Sequence, residues 1–442
     1  MTTQRRDPPQ RRRPRKPAPS SGNASMRAGL APRRRAAALL SSVLDEKKQL
    51  AASGGGRDDA LTLALVRAAL RHLPSIDAAI DARLRSALPE TARPVRRHLQ
   101  IAAAELRYLR TPPHAVVDCT VALVKERSPR MAGLANAICR RLAEEGAAPE
   151  PTEESAWLDT PPWLRQRLEQ AWPTEAKAIA LAHTRGPTLD LTVKPGVEPA
   201  LPEGFATPTG SYRVSQSGTV STLPGFEAGD WWVQDAAASV PATLLDAQPG
   251  ERVLDLCAAP GGKTLQLAVT GAEVTALDNS EARMTRVREN LERTGLAAKL
   301  VVADGTTWRA AAPFDAILLD APCTATGTLR RHPDLPYLRD DRSFEEVLAL
   351  QERLLEAAWS MLKPGGRLVY CVCSLLPEEG EGQIAAFLAR HRDAVLDPIL
   401  PGPELPAALL SSRGMYRTLP SAWPENGGLD GFFAARLGKS DR

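Results

Sequence analysis

Residues 252–268 read RVLDLCAAPGGKTLQLA. An apolar run of strand length meets a turn holding Pro260, Gly261 and Gly262, and a helical pattern of apolar positions begins near Lys263. Glycines there let the backbone come close to a ligand, and a helix that starts directly afterwards offers unpaired N–H groups. Outward from this turn the alternation continues. EVTALD (273–278), KLVVAD (299–304), FDAILLD (314–320) and GRLVYCVC (366–373) read as strands. SEARMTRVRENLERTG (280–295) and FEEVLALQERLLEAAWSML (344–362) read as helices between them. The expected fold is α/β, a Rossmann-like doubly wound parallel sheet with its ligand crevice at the C-terminal strand ends.

The strand ends carry the chemistry. A Walker P-loop would need Gly where Cys257 stands, and the G-x-G-x-x-G of dinucleotide sites is absent, so the loop Cys257-Ala258-Ala259-Pro260-Gly261-Gly262-Lys263 is not built for a pyrophosphate. Asp278 closes the second strand, where a carboxylate can accept ribose hydroxyls, and Asp304 closes the third, where it can receive an adenine amino group. Asp320 closes the fourth. An Asp at a strand-to-helix turn also commonly caps the helix. Three such acids around one crevice favour ligand contact, and the combination suits S-adenosyl-L-methionine, whose sulfonium cation has no pyrophosphate to cradle.

In LVYCVCSLLPEE (368–379), Cys371 and Cys373 stand one residue apart at the end of a strand pattern. With six cysteines in 442 residues, no C-x-x-C pair and six histidines, a disulfide framework and a metal site are both disfavoured. On a regular strand the two thiols share a face, Cys371 the deeper one, and it reads as structural. No apolar run reaches the roughly 18 residues of a membrane span, so the chain is expected to be cytoplasmic with no membrane partner.

Upstream the character changes twice. Residues 1–35 carry eleven Arg or Lys against the single acid Asp7, a net +10 that leaves −6 on the rest of a chain of formal charge +4. Rich in Pro, Ser and Gly, residues 1–33 are expected to be a disordered tail, able to neutralise nucleic-acid phosphates or simply to solubilise. Residues 34–147 show apolar positions at three- and four-residue spacing and read as a helical bundle, with Cys119 and Cys139 on apolar faces. Residues 150–245 read as a small α/β segment, its strands in TLDLTVKP, SYRVSQ and DWWVQDAAA, with Trp231 and Trp232 more apt to close a core than to stack on bases. Residues 246–442 hold the parallel sheet.

RYLRTPPHAVVDCTVALVK (107–125) and GLANAICRRL (133–142) resemble the NusB family, whose helical domain is associated with RNA binding. DLCAAPGGKT (255–264), DAPCTATGTLRRHPD (320–334), CSLLPEE (373–379) and DGFFAARL (430–437) resemble the RNA cytosine-C5 methyltransferases, and with the NusB-like part the RsmB (Fmu/Sun) family acting on 16S ribosomal RNA. Two positions depart from that pattern: Gly380 replaces the family's Asn after PEE, and TVK (192–194) replaces an RVN-like strand. The resemblance implies methyl transfer from S-adenosylmethionine to carbon 5 of a cytosine in RNA. It assigns Cys373 as the nucleophile that adds to C6 and Cys323 to release of the enzyme, and it places Asp320 beside the cofactor. The Asp320 carboxyl can also meet the N3 or N4 edge of the cytosine with Lys263 positioning it, and Arg330, Arg331 and His332 form a basic loop expected to touch phosphates, a solvated loop being the alternative without the resemblance. Glu378 and Glu379 read as a helix N-terminal charge. A monomer and no metal are expected. A DNA-type enzyme attacking through Cys323 and a noncatalytic RNA-binding scaffold remain open alternatives.

Overall fold

In the computed structural model, which describes residues 21–50, 57–198, 201–215, 218–338, 341–403 and 405–441, the N-terminal region is helical throughout. Its helices are α1 (Ser21–Glu46), α2 (Arg57–Arg71), α3 (Leu73–Asp81), α4 (Arg93–Tyr108), α5 (Pro113–Arg127) and α6 (Ala132–Glu145). Pro94 and Pro113 sit in the first turns of α4 and α5, where a missing N–H is harmless, and Gly146 ends α6 at φ 75°. Helix α4 buries Val95, Leu99, Ala102, Ala103 and Leu106 along one stripe. Cys119 and Cys139 lie inside, and burial pushes the Cys139 thiol up to about 12.

The expected disordered tail is corrected in part. Residues 1–20 lie outside the described residues, but from Ser21 onward the chain is helical. Ala36, Ala37, Leu40 and Val43 continue the apolar stripe, and Arg33 donates from Nε to Glu105 at 2.8 Å with both side chains buried. Arg33, placed in the tail by the sequence pattern, is thus half of an internal ion pair.

The described residues divide into two compact units: 21–41, 57–69 and 76–148 form one, and 42–50, 70–75 and 149–441 the other. The second opens with α7 (Glu153–Asp159), α8 (Pro162–Ala171) and α9 (Ala176–Thr184). An antiparallel sheet follows, of β1 (Leu189–Val193), β2 (Gly204–Ala206), β3 (Tyr212–Val214) and β4 (Trp231–Val233) in the order β2-β3-β1-β4. Trp231 and Trp232 are buried, and their indole N–H groups donate to the Pro224 carbonyl and to Gln234 Oε1, both at 2.8 Å, so they close a core. The strand expected through DWWVQDAAA stops at Val233. The Asp235 side chain accepts from Ala237 N and begins helix α10 (Ala236–Leu245) instead.

The main sheet contains β5 (Arg252–Leu256), β6 (Glu273–Asp278), β7 (Lys299–Val302), β8 (Phe314–Asp320), β9 (Leu362–Val372), β10 (Ala394–Leu396), β11 (Tyr416–Thr418) and β12 (Phe432–Lys439). Interleaved are α11 (Gly262–Val269), α12 (Glu281–Thr294), α13 (Leu335–Leu338), α14 (Asp341–Ser360) and α15 (Gln383–Arg390). The order is β10-β12-β9-β8-β5-β6-β7, with β11 beside β12. The strands from β9 to β7 are parallel, and β12 runs antiparallel against β9. Two cores cover its faces. Ile317, Leu319, Leu368, Tyr370 and Val372 meet Leu355, Trp359 and Phe387 on one side, while Ala316, Leu318, Val369 and Cys371 meet Val240 and Leu245 on the other. Each buried Leu, Ile, Val or Phe among them contributes about 1.5–3 kcal/mol. Strand β5 lies between β6 and β8, so the chain's direction of winding reverses there and opens a crevice above the strand ends.

Candidate active site

The loop between β5 and α11 is shaped by contacts that side chains larger than hydrogen would break. Gly261 has φ 105°, and a Cβ there would meet the Val287 side chain at 3.2 Å. Asp278, buried at the end of β6, holds this loop from below: Oδ2 accepts from Ala259 N at 3.3 Å, and Oδ1 accepts from Ser280 N at 3.0 Å and from Arg283 at 2.7 Å. Asp304 differs. It is exposed, and Oδ1 accepts from the backbone and hydroxyl of Thr306, so its carboxylate starts the turn after β7.

The electrostatics of the crevice suit a cation. Burial pushes the Cys257 thiol far up, and the charges of Asp320, Asp278 and Asp255 push it further. Those carboxylate charges favour a sulfonium, whereas burial, the larger cause of the shift, disfavours a charge of either sign. Lys263 is no free cradle for phosphate. It reaches Asp320 Oδ2 at 2.7 Å, and although burial alone would lower its ammonium, Asp320 and then Cys371 outweigh it and the net shift is upward.

Asp320 is held from both sides. While Lys263 takes Oδ2, the Cys371 thiol donates to Oδ1 at 3.6 Å from its paired position on β9. Cys371 therefore does more than fill space. Burial first, and then Asp320, keep it a thiol able to donate. Two residues further, just past the end of β9, the chain reaches Cys373, whose sulfur lies 3.5 Å from that of Cys323 in the loop after β8. The hydrogen bond to Cys373, then burial, then the charges of Cys373 and Glu379 raise the Cys323 thiol well above its ordinary value.

Glu379 was read from the sequence as a helix N-terminal charge, and the structure corrects this. Its carboxylate is buried, with Oε1 accepting from Thr324 N at 2.8 Å and Gln351 Nε2 at 3.0 Å. Oε2 accepts from the hydroxyls of Thr324, at 2.5 Å, and Ser374. Gly380, where the family pattern has Asn, lies tight against the core: a Cβ would come within 2.8 Å of the Phe433 ring.

Arg330 and Arg331, expected on phosphates, are corrected as well. Arg330 is 1% exposed and donates to Asp430 Oδ1 at 3.0 Å and to the Gly427 carbonyl at 2.6 Å. Arg331 donates to Asp430 Oδ2 at 2.7 Å and Asp235 Oδ2 at 2.5 Å. His332 alone of the three is exposed.

Asp255 had no assigned role. It is fully buried on β5, Oδ2 accepts from Thr264 Oγ1 at 2.5 Å, and Oδ1 has no partner. Burial pushes its carboxyl up to about 7. A carboxyl raised above its unfolded value near 3.9 binds its proton more tightly in the native state, so stability is full at low pH and falls as pH rises toward and through 7. Asp255→Asn removes that loss. Between pH 5 and pH 8 the wild type should lose about 2–3 kcal/mol more than the variant, read from urea unfolding at the two pH values. Parallel curves for the two proteins would refute a neutral Asp255.

A Rossmann-like sheet, a glycine turn without a phosphate cradle and a crevice that favours a cation define a methyltransferase that uses S-adenosylmethionine. The comparisons agree and narrow it. The model described as 16S rRNA methyltransferase RsmB/F matches residues 242–438, and that of the NusB family matches residues 30–144. Ribosomal RNA small subunit methyltransferase B of Pectobacterium atrosepticum is 40% identical over 364 residues, 77% of this chain and 84% of that one. Its counterpart in Klebsiella pneumoniae is 38% identical over 401 residues, 86% of this chain and 90% of that one. A solved methyltransferase homolog protein from Pyrococcus horikoshii has a TM-score of 0.52 and 30% identity, covering 62% of this chain and 93% of that one. The chain belongs to the RsmB/F family of 16S rRNA methyltransferases and carries a NusB-family region at its N-terminal side. No helix among the described residues is long and apolar enough to cross a membrane.

Proposed function

We propose that the protein methylates carbon 5 of a cytosine in 16S ribosomal RNA, in the cytoplasm, through a covalent adduct between Cys373 and C6 of the base. The observation that carries this is the contact of the Cys323 and Cys373 sulfurs at 3.5 Å, beside an Asp320 carboxylate held by Lys263. Carbon 5 of cytosine is a poor nucleophile. Addition of the Cys373 thiolate to C6 pushes electron density onto C5, which then takes the methyl group that bound S-adenosylmethionine supplies. Asp320, its lone pairs directed by Lys263 and Cys371, meets the N3 or N4 edge of the ring as charge shifts there. For release, the C5 proton leaves, its bonding pair forms the C5=C6 double bond, and the C6–S pair returns to Cys373. Cys323 gives its thiol proton to the departing sulfur, and its resulting thiolate takes up the C5 proton; Cys373 then loses its proton to water, which regenerates the attacking thiolate and releases the single proton lost from C5.

The residues 257–263, Asp278 and Asp304 would hold the cofactor. Because Asp278 also fixes the loop, Asp278→Ala should weaken S-adenosylmethionine binding by about 1–3 kcal/mol, and Asp304→Ala, at an exposed turn, by less. Titration calorimetry checks the order; an equal or reversed pair would remove Asp278 from the site. The domain organisation that fits this function is a basic N-terminal arm, a NusB-like RNA-binding bundle, the small sheet region of 150–245 and the methyltransferase region from 246. To test the reaction itself, 16S RNA is incubated with the protein and methyl-labelled S-adenosylmethionine and digested to nucleosides. The label should appear in 5-methylcytidine. Label in an N-methylated base or a ribose would overturn the proposal.

A further inference from the structure

Both cysteines of the site are followed by a hydroxyl residue, as Cys323-Thr324 and Cys373-Ser374, and one buried carboxylate binds both hydroxyls. We propose that Glu379 is a positioning residue that clamps the Cys323 loop to the turn after Cys373 and thereby governs release of the methylated RNA. This rests on the two-cysteine mechanism above.

A carboxylate buried without a cation is costly unless hydrogen bonds replace its water. None of the donors on Glu379 is cationic; they are Thr324 N–H, the Thr324 and Ser374 hydroxyls and the Gln351 amide. These groups also meet one another. Thr324 and Thr326 hydroxyls lie 3.2 Å from that of Ser374, and Gln351 also donates to the Pro322 carbonyl at 2.9 Å. Burial raises the Glu379 carboxyl, partly offset by these bonds, and its charge in turn helps keep the proton on Cys323.

The two sulfurs depend on this clamp unequally. Cys373 directly follows β9, an eleven-residue strand paired on both sides. Cys323 sits in a loop between β8 and a 3-10 turn at Thr326–Thr328, and its neighbours are fixed largely through Glu379 and Gln351. Loosening the clamp should leave addition to C6 intact and impair the later step, in which the C5 proton is lost, the C6–S bond breaks and Cys323 protonates the departing sulfur.

The test uses the full chain with S-adenosylmethionine and 16S RNA transcribed in vitro. Glu379→Gln keeps the shape and removes the charge, and Thr324→Val removes one clamped hydroxyl at nearly constant volume. Both should lower kcat about 10- to 100-fold, leave KM for S-adenosylmethionine within about threefold, and accumulate a protein–RNA complex that survives denaturing electrophoresis. General damage to the fold would depress adduct formation together with turnover, and that outcome overturns the proposal. So do wild-type turnover and adduct levels in both variants. Should Glu379→Gln fail to fold, Thr324→Val decides. Cys323→Ala run alongside separates the two claims: if it forms no complex, the two-cysteine mechanism falls and this proposal with it. If it forms the complex and the clamp variants do not, only the role of Glu379 fails.

Discussion

Cys373→Ala abolishes methyl transfer and yields no covalent RNA complex, because no thiolate remains to add to C6 and the unactivated ring cannot attack the sulfonium. The loss should reach the detection limit of the assay. Cys323→Ala behaves differently: addition and methylation proceed from the well-supported strand end, release stalls, and enzyme bound to methylated RNA accumulates. The double variant loses that complex again. Cys371→Ala falls between the two. It should keep the adduct but lower the rate, since Asp320 Oδ1 loses the donor at 3.6 Å while Lys263 still holds Oδ2. A denaturation-resistant band from Cys373→Ala with none from Cys323→Ala would move the nucleophile to Cys323 and make the chemistry that of the DNA enzymes.

Asp430→Ala should lower the stability of the second unit by about 3–5 kcal/mol, the usual consequence of removing one partner from a buried ionic cluster. It strips Arg330 and Arg331 of their shared acceptor, leaving Asp235 to serve both, at 3.8 Å from Arg330 and 2.5 Å from Arg331. The cluster is enclosed, so the loss should persist at high salt. The midpoint of urea unfolding, measured at 0.1 M and 1 M salt, reads both effects. Were the two arginines phosphate contacts, Asp430→Ala would leave the midpoint in place and change the salt dependence of RNA binding instead.

The parallel sheet was legible because each of its strands is a short apolar run that stops at a turn signal, and buried parallel strands need little else. The glycine turn was legible because Gly261 stands where only a glycine relaxes at φ 105°. The strand-end residues Asp278, Asp320 and Cys373 followed from the topology those patterns imply, and the common face of Cys371 and Cys373 from the period of two. The strands β10 to β12 escaped notice as strands, since they complete the sheet antiparallel and late in the chain, beyond the alternating pattern.

Residue type and spacing by themselves determined the fold class and which side chains stand at the C-terminal ends of the parallel strands. Tertiary structure alone decided what each charged group does. Arg33 meets Glu105 across 72 residues, Arg330 meets Asp430 across 100 and Thr324 meets Glu379 across 55. No local period encodes such pairings. An arginine near a site looks the same in sequence whether a phosphate or a buried carboxylate awaits it, and an acid after a proline looks like a helix start. Only the packed chain shows which charges have lost their water, and the energy of burial then dictates the partner each must have.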